Sequence, residues 1–140
     1  LVRSMFVAGL DLDLVVESIN KLLLPVGLDN FSTLDACVID LNLMNCSFIK
    51  LGSSVSILKH KMTSEIIECK SLPIGIVQNI RPTIINKKIF EGDTIFLASD
   101  GVVDAFGDME RYKCFINDAK FSNLQKFTDD IIEEIKEISK

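Results

Sequence analysis

Hydrophobic and polar residues recur along this chain with two different periods, one typical of helices and one typical of strands. Near the start, residues 1–8 and 11–24 carry apolar residues at helical spacing, and Gly9 and Pro25 interrupt the pattern. In the second segment the apolar stripe consists of Leu14, Val15, Ile19, Leu22 and Leu23, with Glu17, Asn20 and Lys21 turned away. The pattern predicts two short amphipathic helices that end at a glycine and at a proline.

The middle of the chain changes to the shorter period of β-strands. Residues 33–41 are apolar on both alternating faces apart from Asp35 and Asp40, and residues 46–51 follow as the second arm of a hairpin. Residues 55–60 and 65–69 alternate more loosely, so we expect them nearer the sheet edge. A strand that is apolar on both faces must be covered on both, which predicts an α+β domain of layered antiparallel sheets with flanking helices.

The stretch over residues 91–106 combines a turn, a strand and a carboxylate. Residues 92–93, a Gly-Asp pair, predict a tight turn, and residues 94–98 form an apolar run that fits a strand covered on both faces. Asp100 then follows the strand beside Gly101, where a hard cation such as magnesium or manganese would find an oxygen ligand. Because Asp-Gly is also a common turn dipeptide, a solvated turn is the alternative interpretation.

The residues on either side of this stretch predict one more strand and two helices. Residues 83–90 alternate as a strand, and residues 109–118 form a weakly amphipathic helix. In the final helix, Ser122 and Gln125 predict a capping box at its start. Its apolar stripe consists of Leu124, Phe127, Ile131, Ile135 and Ile138.

Length and charge limit the classes of partner. A chain of 140 residues predicts a single domain, and its net charge of −5 comes without a basic patch. Nucleic acid and anionic membrane surfaces are therefore not expected to bind it. No apolar run approaches the roughly 18 to 20 residues that cross a bilayer, and the expectation of reduced cysteines indicates a cytoplasmic location for this chain.

The cysteines and the single histidine do not form a recognisable site. Cys37, Cys46, Cys69 and Cys114 are widely spaced without a Cys-x-x-Cys pair, which favours reduced, buried thiols, Cys114 included, although two disulfides stay open as an alternative. His60 lies between two lysines at a strand end, where an exposed side chain is the expectation.

Five short motifs occur in order along the chain. They are Ser32-Thr33-Leu34-Asp35, Lys50-Leu51-Gly52-Ser53, Ser71-Leu72-Pro73-Ile74-Gly75, Gly92-Asp93 and Ser99-Asp100-Gly101-Val102. Together they resemble the phosphatase domain of stage II sporulation protein E, a bacterial branch of the metal-dependent protein phosphatase 2C superfamily. The resemblance runs from about Leu1 to the final helix. It implies an α-β-β-α sandwich, present as one partial domain over residues 1–140.

The resemblance implies hydrolysis of phosphoserine or phosphothreonine on a protein with two manganese or magnesium ions. Such metals lower the pKa of a bridging water and neutralise phosphate oxygens. Asp100 matches a metal-binding Asp of the family, and Gly101 matches the neighbouring glycine as structural support. The implied substrate is a phosphorylated anti-sigma-factor antagonist, and full-length members carry membrane-spanning helices before this domain.

Two family motifs have no counterpart in the chain. An Asp-Gly-Met-Gly-like motif belongs upstream of the first helix, and an Asp-Asp-Met-Thr-like motif belongs after the last one. Asp129 and Asp130 lie inside the final helix, so a solvated helix face is the better interpretation for them. We therefore expect a domain that is incomplete at both ends and has poor or no activity as it stands. A non-catalytic regulatory or scaffold domain with the same fold is the alternative.

The resemblance also gives the N-terminal helices, residues 1–24, a regulatory interpretation. In the family such helices act as a switch and contribute to dimer contacts. This implies that Met5, Phe6, Leu10 and Val15 face a partner, with a homodimer through the N-terminal helices. Packing of the same residues on the protein's own core is the alternative.

Overall fold

A computed structural model describes residues 9, 11–24, 31–52, 55–119 and 123–138. The chain divides into two compact units, one made of Leu1–Ser53 and Glu68–Ile89 and the other of Ser54–Ile67 and Phe90–Lys140. The described part of each unit contains one three-stranded antiparallel sheet together with helix. The predicted α+β class is confirmed. In the described ranges no helix is long and apolar enough to cross a lipid bilayer.

The elements follow one another along the chain with short connections. In order they are α1 (Leu12–Leu23), β1 (Leu34–Asp40), β2 (Asn45–Leu51), β3 (Ser56–Lys59), β4 (Ser64–Ile67), β5 (Thr83–Lys88), β6 (Thr94–Leu97), α2 (Asp100–Phe106), α3 (Met109–Asp118) and α4 (Leu124–Ile138).

The sheet of the first unit has the strand order β1-β2-β5, with the hairpin β1–β2 as predicted. The strand β2 lies in the centre and is buried at Cys46 and from Phe48 to its end. Asp40 closes the hairpin, because its carboxylate accepts from the backbone N–H groups of Asn42 and Leu43, each at 2.9 Å. A buried hydrophobic cluster of this unit contains Val16, Leu51, Ile74 and Ile80.

The outer half of the hairpin is more exposed than predicted. In the described chain β1 pairs with β2 alone, and Val38, Ile39, Leu41 and Leu43 are between 45% and 74% exposed. The expectation that this strand is covered on both faces is therefore wrong for its second half. An edge position leaves such residues without neighbours on one side.

The helix α1 is fixed by a polar side chain that sequence reasoning placed on the wrong face. Asn20 is 0% exposed. Its amide donates to the carbonyls of Val77 and Gln78 at 2.8 and 3.1 Å, and its oxygen accepts from the N–H of Gly75 at 2.8 Å. Because both ends of the amide have backbone partners, burial of Asn20 is stabilising rather than costly. Leu14 and Leu22, predicted for the buried stripe, are 52% and 60% exposed.

The sheet of the second unit has the order β4-β3-β6. All four residues of β3 are buried, so the prediction of an edge position for it is wrong. The strand β6, predicted to be covered on both faces, lies at an edge within the described residues, and its Leu97 is 48% exposed. Long-range pairing decides which strand is central, and local alternation carries little of that information.

Three helices and an aromatic cluster complete the second unit. The core contains Ile57, Phe106, Tyr112, Ile116 and Phe127. The ring centroids of Phe106 and Tyr112 are 5.2 Å apart, and those of Phe96 and Phe127 are 5.3 Å apart. The helix α3 has the predicted bounds, whereas the seven-residue α2 was not predicted.

The start of α4 differs from the predicted capping box. Asn123 supplies the cap, since its side-chain oxygen accepts from the N–H of Lys126 at 3.1 Å. Gln125 instead donates to Asp129 at 3.3 Å. Ser122 lies outside the described residues.

Lys59 is the buried cation of this unit's central strand. Its ammonium group donates to the carbonyls of Ile116, Asn117 and Ala119 at 2.7, 2.7 and 3.0 Å. These carbonyls belong to the last turn of α3 and the residue after it, where helical carbonyls lack partners of their own. Burial lowers the pKa of Lys59, and the carboxylate of Asp118 acts in the opposite direction.

The four cysteines, all among the described residues, form no disulfide with one another. Cys46 is buried and Cys37 and Cys69 are partly buried, but the prediction that Cys114 is buried is wrong. Tyr112 and Ile116 are both buried on α3, and Cys114 lies halfway between them along the chain. Helical geometry therefore places it on the opposite face, where it is exposed.

Candidate metal-ligand site

Asp100, the predicted metal ligand, is the first residue of α2 and lies three residues beyond the end of β6. Its side chain is exposed, and one carboxylate oxygen accepts from the N–H of Gly101 at 3.0 Å. Ser99 precedes the helix with extended backbone angles and makes no capping bond with its side chain. The strand-to-helix junction thus presents a carboxylate to solvent, where oxygen ligands for a hard cation are accessible.

Asp100 has a structural explanation as well. An acidic residue in the first turn of a helix is stabilised by the helix dipole, typically by about 0.3–1 kcal/mol at the surface. The exposure of Asp100 and its position at the start of α2 therefore agree with a metal-ligand role and with a helix-stabilising role.

Gly101 is exposed and is not forced to be glycine by its neighbours. A Cβ atom at this position would meet the hydroxyl oxygen of Ser99 at 3.8 Å, an ordinary van der Waals distance. Any demand for glycine at this position would come from a bound ligand or partner.

The described residues do not fit a complete two-metal centre. Two hard cations need several oxygen ligands each, usually with more than one carboxylate. Across the described ranges, no group of three or more His, Cys, Asp or Glu side chains is arranged to hold a metal ion. Asp100 therefore fits a single ligand position.

The acidic residues of the β1–β2 hairpin and of α4 have structural roles. Asp35 forms an ion pair of 3.0 Å with Lys50, its cross-strand neighbour, whose side chain is completely buried. Asp40 closes the β1–β2 turn through bonds from the N–H groups of Asn42 and Leu43. Asp129 and Asp130 are exposed on α4, which is the solvated helix face expected for them.

The candidate partner surface lies mostly outside the described residues. Met5, Phe6 and Leu10 are not among them. Val15 is 1% exposed and so belongs to the core of its unit.

Three of the sequence motifs come together in the first unit. Gly52 donates its N–H to the hydroxyl of Ser71 at 3.1 Å, and that hydroxyl donates to the carbonyl of Lys50 at 3.2 Å. Ser32 and Ile74 exchange two backbone hydrogen bonds of 3.0 and 2.8 Å. These motifs therefore fasten the segment around Pro73 to the β1–β2 hairpin.

Gly52 permits the closest of these contacts. Its φ is +58°, and a Cβ atom would lie 2.6 Å from Cγ of Pro73. Both the backbone angle and the contact require a residue without a side chain.

Sequence reasoning missed a histidine–carboxylate arrangement in the second unit. Nδ1 of His60 lies 2.8 Å from Oδ2 of Asp93, and Nε2 lies 3.4 Å from Oε1 of Glu65. The His60 side chain is 20% exposed, so the expectation of an exposed residue is wrong. The Gly-Asp turn was the available signal, because an Asp after a turn glycine often bonds nearby groups.

The whole chain, residues 1–140, matches the model of the protein family described as stage II sporulation protein E. It is 29% identical over 140 residues to the stage II sporulation protein E of Priestia megaterium. That match covers 96% of this chain and 24% of the relative. With 17% of a Bacillus subtilis (strain 168) relative covered as well, the chain spans a quarter or less of the curated relatives it matches.

Solved structures of phosphatase domains from the same family also match this chain. The PP2C phosphatase domain of SpoIIE from Bacillus subtilis, with a fragment of its regulatory domain, matches with a TM-score of 0.86 and 25% identity over 98% of this chain and 43% of that one. A manganese-presoaked phosphatase domain of the same protein matches with a TM-score of 0.64 and 25% identity, over 96% and 61% of the two chains.

Proposed function

Because this chain belongs to the stage II sporulation protein E family, we propose that it is part of a metal-dependent protein serine/threonine phosphatase domain. The observation that supports this most directly is the exposed carboxylate of Asp100 at the junction of β6 and α2. In this proposal Asp100 is one metal ligand, and Gly101 leaves space beside it. The further carboxylates of the centre are not among the described residues.

The proposed metals are manganese or magnesium, both of which prefer oxygen ligands. The manganese-presoaked relative supports this choice. When bound, such ions supply an activated water and neutralise phosphate oxygens. The proposed substrate is phosphoserine or phosphothreonine on a regulatory protein of the anti-sigma-factor antagonist type, and this part rests on the resemblance alone.

The N-terminal helices remain a proposed regulatory segment. A homodimer through them would use Met5, Phe6 and Leu10. Val15 is not proposed for that contact, because it is buried.

The role of Asp100 is tested with two matched variants of the full-length natural protein. We expect Asp100→Asn to lose most manganese-dependent hydrolysis of p-nitrophenyl phosphate and to bind manganese at least about tenfold more weakly, since it removes a charged ligand. The control is Asp104→Asn, which makes the same change on an exposed residue one turn along α2. Asp104→Asn should behave like the wild type.

The thermal midpoint separates ligand loss from unfolding. Asp100→Asn should change the free energy of unfolding without metal by no more than about 1 kcal/mol, the size of a helix-dipole contribution. Full activity in Asp100→Asn would contradict its assignment as a ligand.

For the 140-residue chain by itself we propose weak manganese binding and little hydrolysis. The reason is that Asp100 alone cannot hold two hard cations tightly. Isothermal titration with manganese measures this directly. Tight binding of two ions by the isolated chain would show that it contains a complete centre and would contradict this part of the proposal. A non-catalytic domain would bind no metal in the full-length protein either.

A further inference from the structure

We propose that His60 is a positioning residue for Asp100, because it fixes the register of β6 through a side-chain bond to Asp93. The inference rests on the proposed function, since it takes Asp100 as a metal ligand. All the residues involved belong to the second unit.

The bond between His60 and Asp93 is short and shielded from solvent. Nδ1 and Oδ2 are 2.8 Å apart, and the side chain of Asp93 is 6% exposed. The imidazole is 20% exposed and lies edge-on to the ring of Phe90, with centroids 6.1 Å apart. A charged acceptor in such a setting makes a stronger bond than a neutral, exposed one.

The pair lies one step beyond the end of a strand ladder. The strands β3 and β6 pair antiparallel from Ser56 with Leu97 to Lys59 with Thr94. Continuing this register brings position 60 opposite position 93. The backbone N–H of His60 donates to the carbonyl of Thr63 at 2.7 Å, so it closes the β3–β4 turn. The side-chain bond therefore continues the ladder where the backbone pairing stops.

Asp93 is itself held firmly. Its carboxylate also accepts from the N–H of Phe90 at 2.9 Å, and its own N–H donates to the carbonyl of Phe90 at 3.0 Å. Gly92 completes this turn with a φ of +92°. His60 thus bonds to a rigid turn rather than to a mobile side chain.

The short strand β6 gains a constraint at its start from this bond. It is four residues long, and among the described residues it pairs with β3 alone. A slip of one residue would move the strand by about 3.3 Å and exchange the two faces. Phe96, which packs on the core, would then be replaced by its neighbour. Asp100 follows three residues later and would move with the strand.

His60 acts from a distance rather than at the metal. It lies beside the start of β6, whereas Asp100 follows its end. His60, Glu65 and Asp93 are not arranged as a metal-holding group in the described structure. The strand between them is the physical connection.

Two substitutions of His60 separate the bond to Asp93 from simple packing. In His60→Asn the side-chain amide takes roughly the position of Nδ1 and can still donate to Asp93, whereas the longer His60→Gln directs its amide towards the position of Nε2. Lys61→Gln, at the exposed next residue, is the control. All three are made in the full-length natural protein.

The first measurement is manganese affinity by isothermal titration. We expect His60→Gln to weaken binding by about tenfold, the usual lower effect of losing a group that orients a metal ligand. His60→Asn and Lys61→Gln should stay within about twofold of the wild type. Saturating manganese should restore the activity of His60→Gln, because the ligand is displaced and not removed.

The second measurement is amide hydrogen exchange without metal. Exchange at residues 94–97 should be faster in His60→Gln than in the wild type and unchanged in His60→Asn. This readout does not require phosphatase activity.

Several results would overturn the inference. Wild-type affinity in His60→Gln, together with loss of binding in Asp100→Asn, would overturn it and leave the proposed function in place. Equal losses in His60→Gln and His60→Asn would assign the effect to ring packing on Phe90 instead. Absence of manganese binding in the wild-type protein would overturn both proposals.

Discussion

Two buried polar side chains, Asn20 and Lys59, bond to backbone groups that lie far away in the sequence. Asn20 holds the segment from Gly75 to Gln78 against α1, and Lys59 holds the end of α3. Their partners lie between 55 and 60 residues away in sequence. Local pattern cannot reveal such pairs, which explains why Asn20 was assigned to the wrong face.

The thiol of Cys37 is expected to make the folded protein less stable at alkaline pH. Burial, with a contribution from the neighbouring Cys46, raises the pKa of its thiol from 9.0 to about 11. Since the folded-state pKa lies above the unfolded one, the stabilisation is fully present below pH 9.0 and is lost as pH rises through about 11. A shift of about two pKa units corresponds to at most about 2.7 kcal/mol, and solvent screening at this partly buried side chain makes the contribution smaller.

Urea unfolding of the wild type and of Cys37→Ala between pH 8 and 10.5 measures this contribution. The difference between the two proteins should stay constant up to about pH 9 and then shrink as pH rises further, while contributions from other groups cancel. Cys114→Ala is the control, because Cys114 is exposed. A difference for Cys37→Ala that stays constant across this range would contradict the assignment.

At the scale of elements, periodicity located most of the chain correctly. The helices α1, α3 and α4 and the β1–β2 hairpin were predicted close to their observed bounds, because each has a continuous apolar pattern. The helix α2 was missed because seven residues beginning Asp-Gly show a turn signal before a helical period can appear. For β3 and β6, the sequence indicated strands but not which of them lies in the centre.

The candidate site was only partly predictable at this scale. The position of Asp100 at the end of a strand could be predicted from the apolar run before it. The bond between His60 and Asp93 could not, because it depends on the register of β3 against β6. Register is set by pairing across the sheet, and the histidine's local surroundings suggested only an exposed turn.

The bonds of Lys59 to the end of α3 are expected to contribute to the stability of the fold. Lys59→Met keeps most of the side-chain stem but leaves three backbone carbonyls without their cation. We expect the free energy of unfolding to fall by about 2–4 kcal/mol, from lost charged hydrogen bonds and poorly satisfied acceptors. Thermal or urea unfolding provides the measurement.

Lys61→Met is the matched control, since Lys61 is an exposed lysine two residues away. It should change stability by no more than about 0.5 kcal/mol. If both variants were equally stable, the three hydrogen bonds would contribute nothing beyond the desolvation of Lys59.

At the scale of the whole molecule, the family match covers both compact units. Residues 1–140 match one family model, although the chain divides into two units by its internal contacts. The order of the five motifs agrees with this match, since they are distributed over both units. We therefore propose that the units belong to one phosphatase domain.

A single domain predicts one cooperative unfolding transition. Tyr112 is the chain's only tyrosine, and no tryptophan is present, so its fluorescence reports on the second unit. The reactivity of Cys37 and Cys46 reports on the first unit. We expect both probes to give the same urea midpoint, with Cys69 and Cys114 replaced by alanine to keep the thiol signal specific. Two separate midpoints would show two independently unfolding domains.

The exposed half of the β1–β2 hairpin also bears on how the isolated chain behaves at high concentration. Within the described residues β1 is an edge strand with Val38 and Ile39 exposed, and Leu41 and Leu43 follow in the turn. Such an edge is a template for pairing with another chain. Sedimentation of the 140-residue chain should therefore show self-association that increases with concentration. Ile39→Lys or Leu41→Lys would be the first substitution to try when preparing the 140-residue chain for crystallisation or NMR.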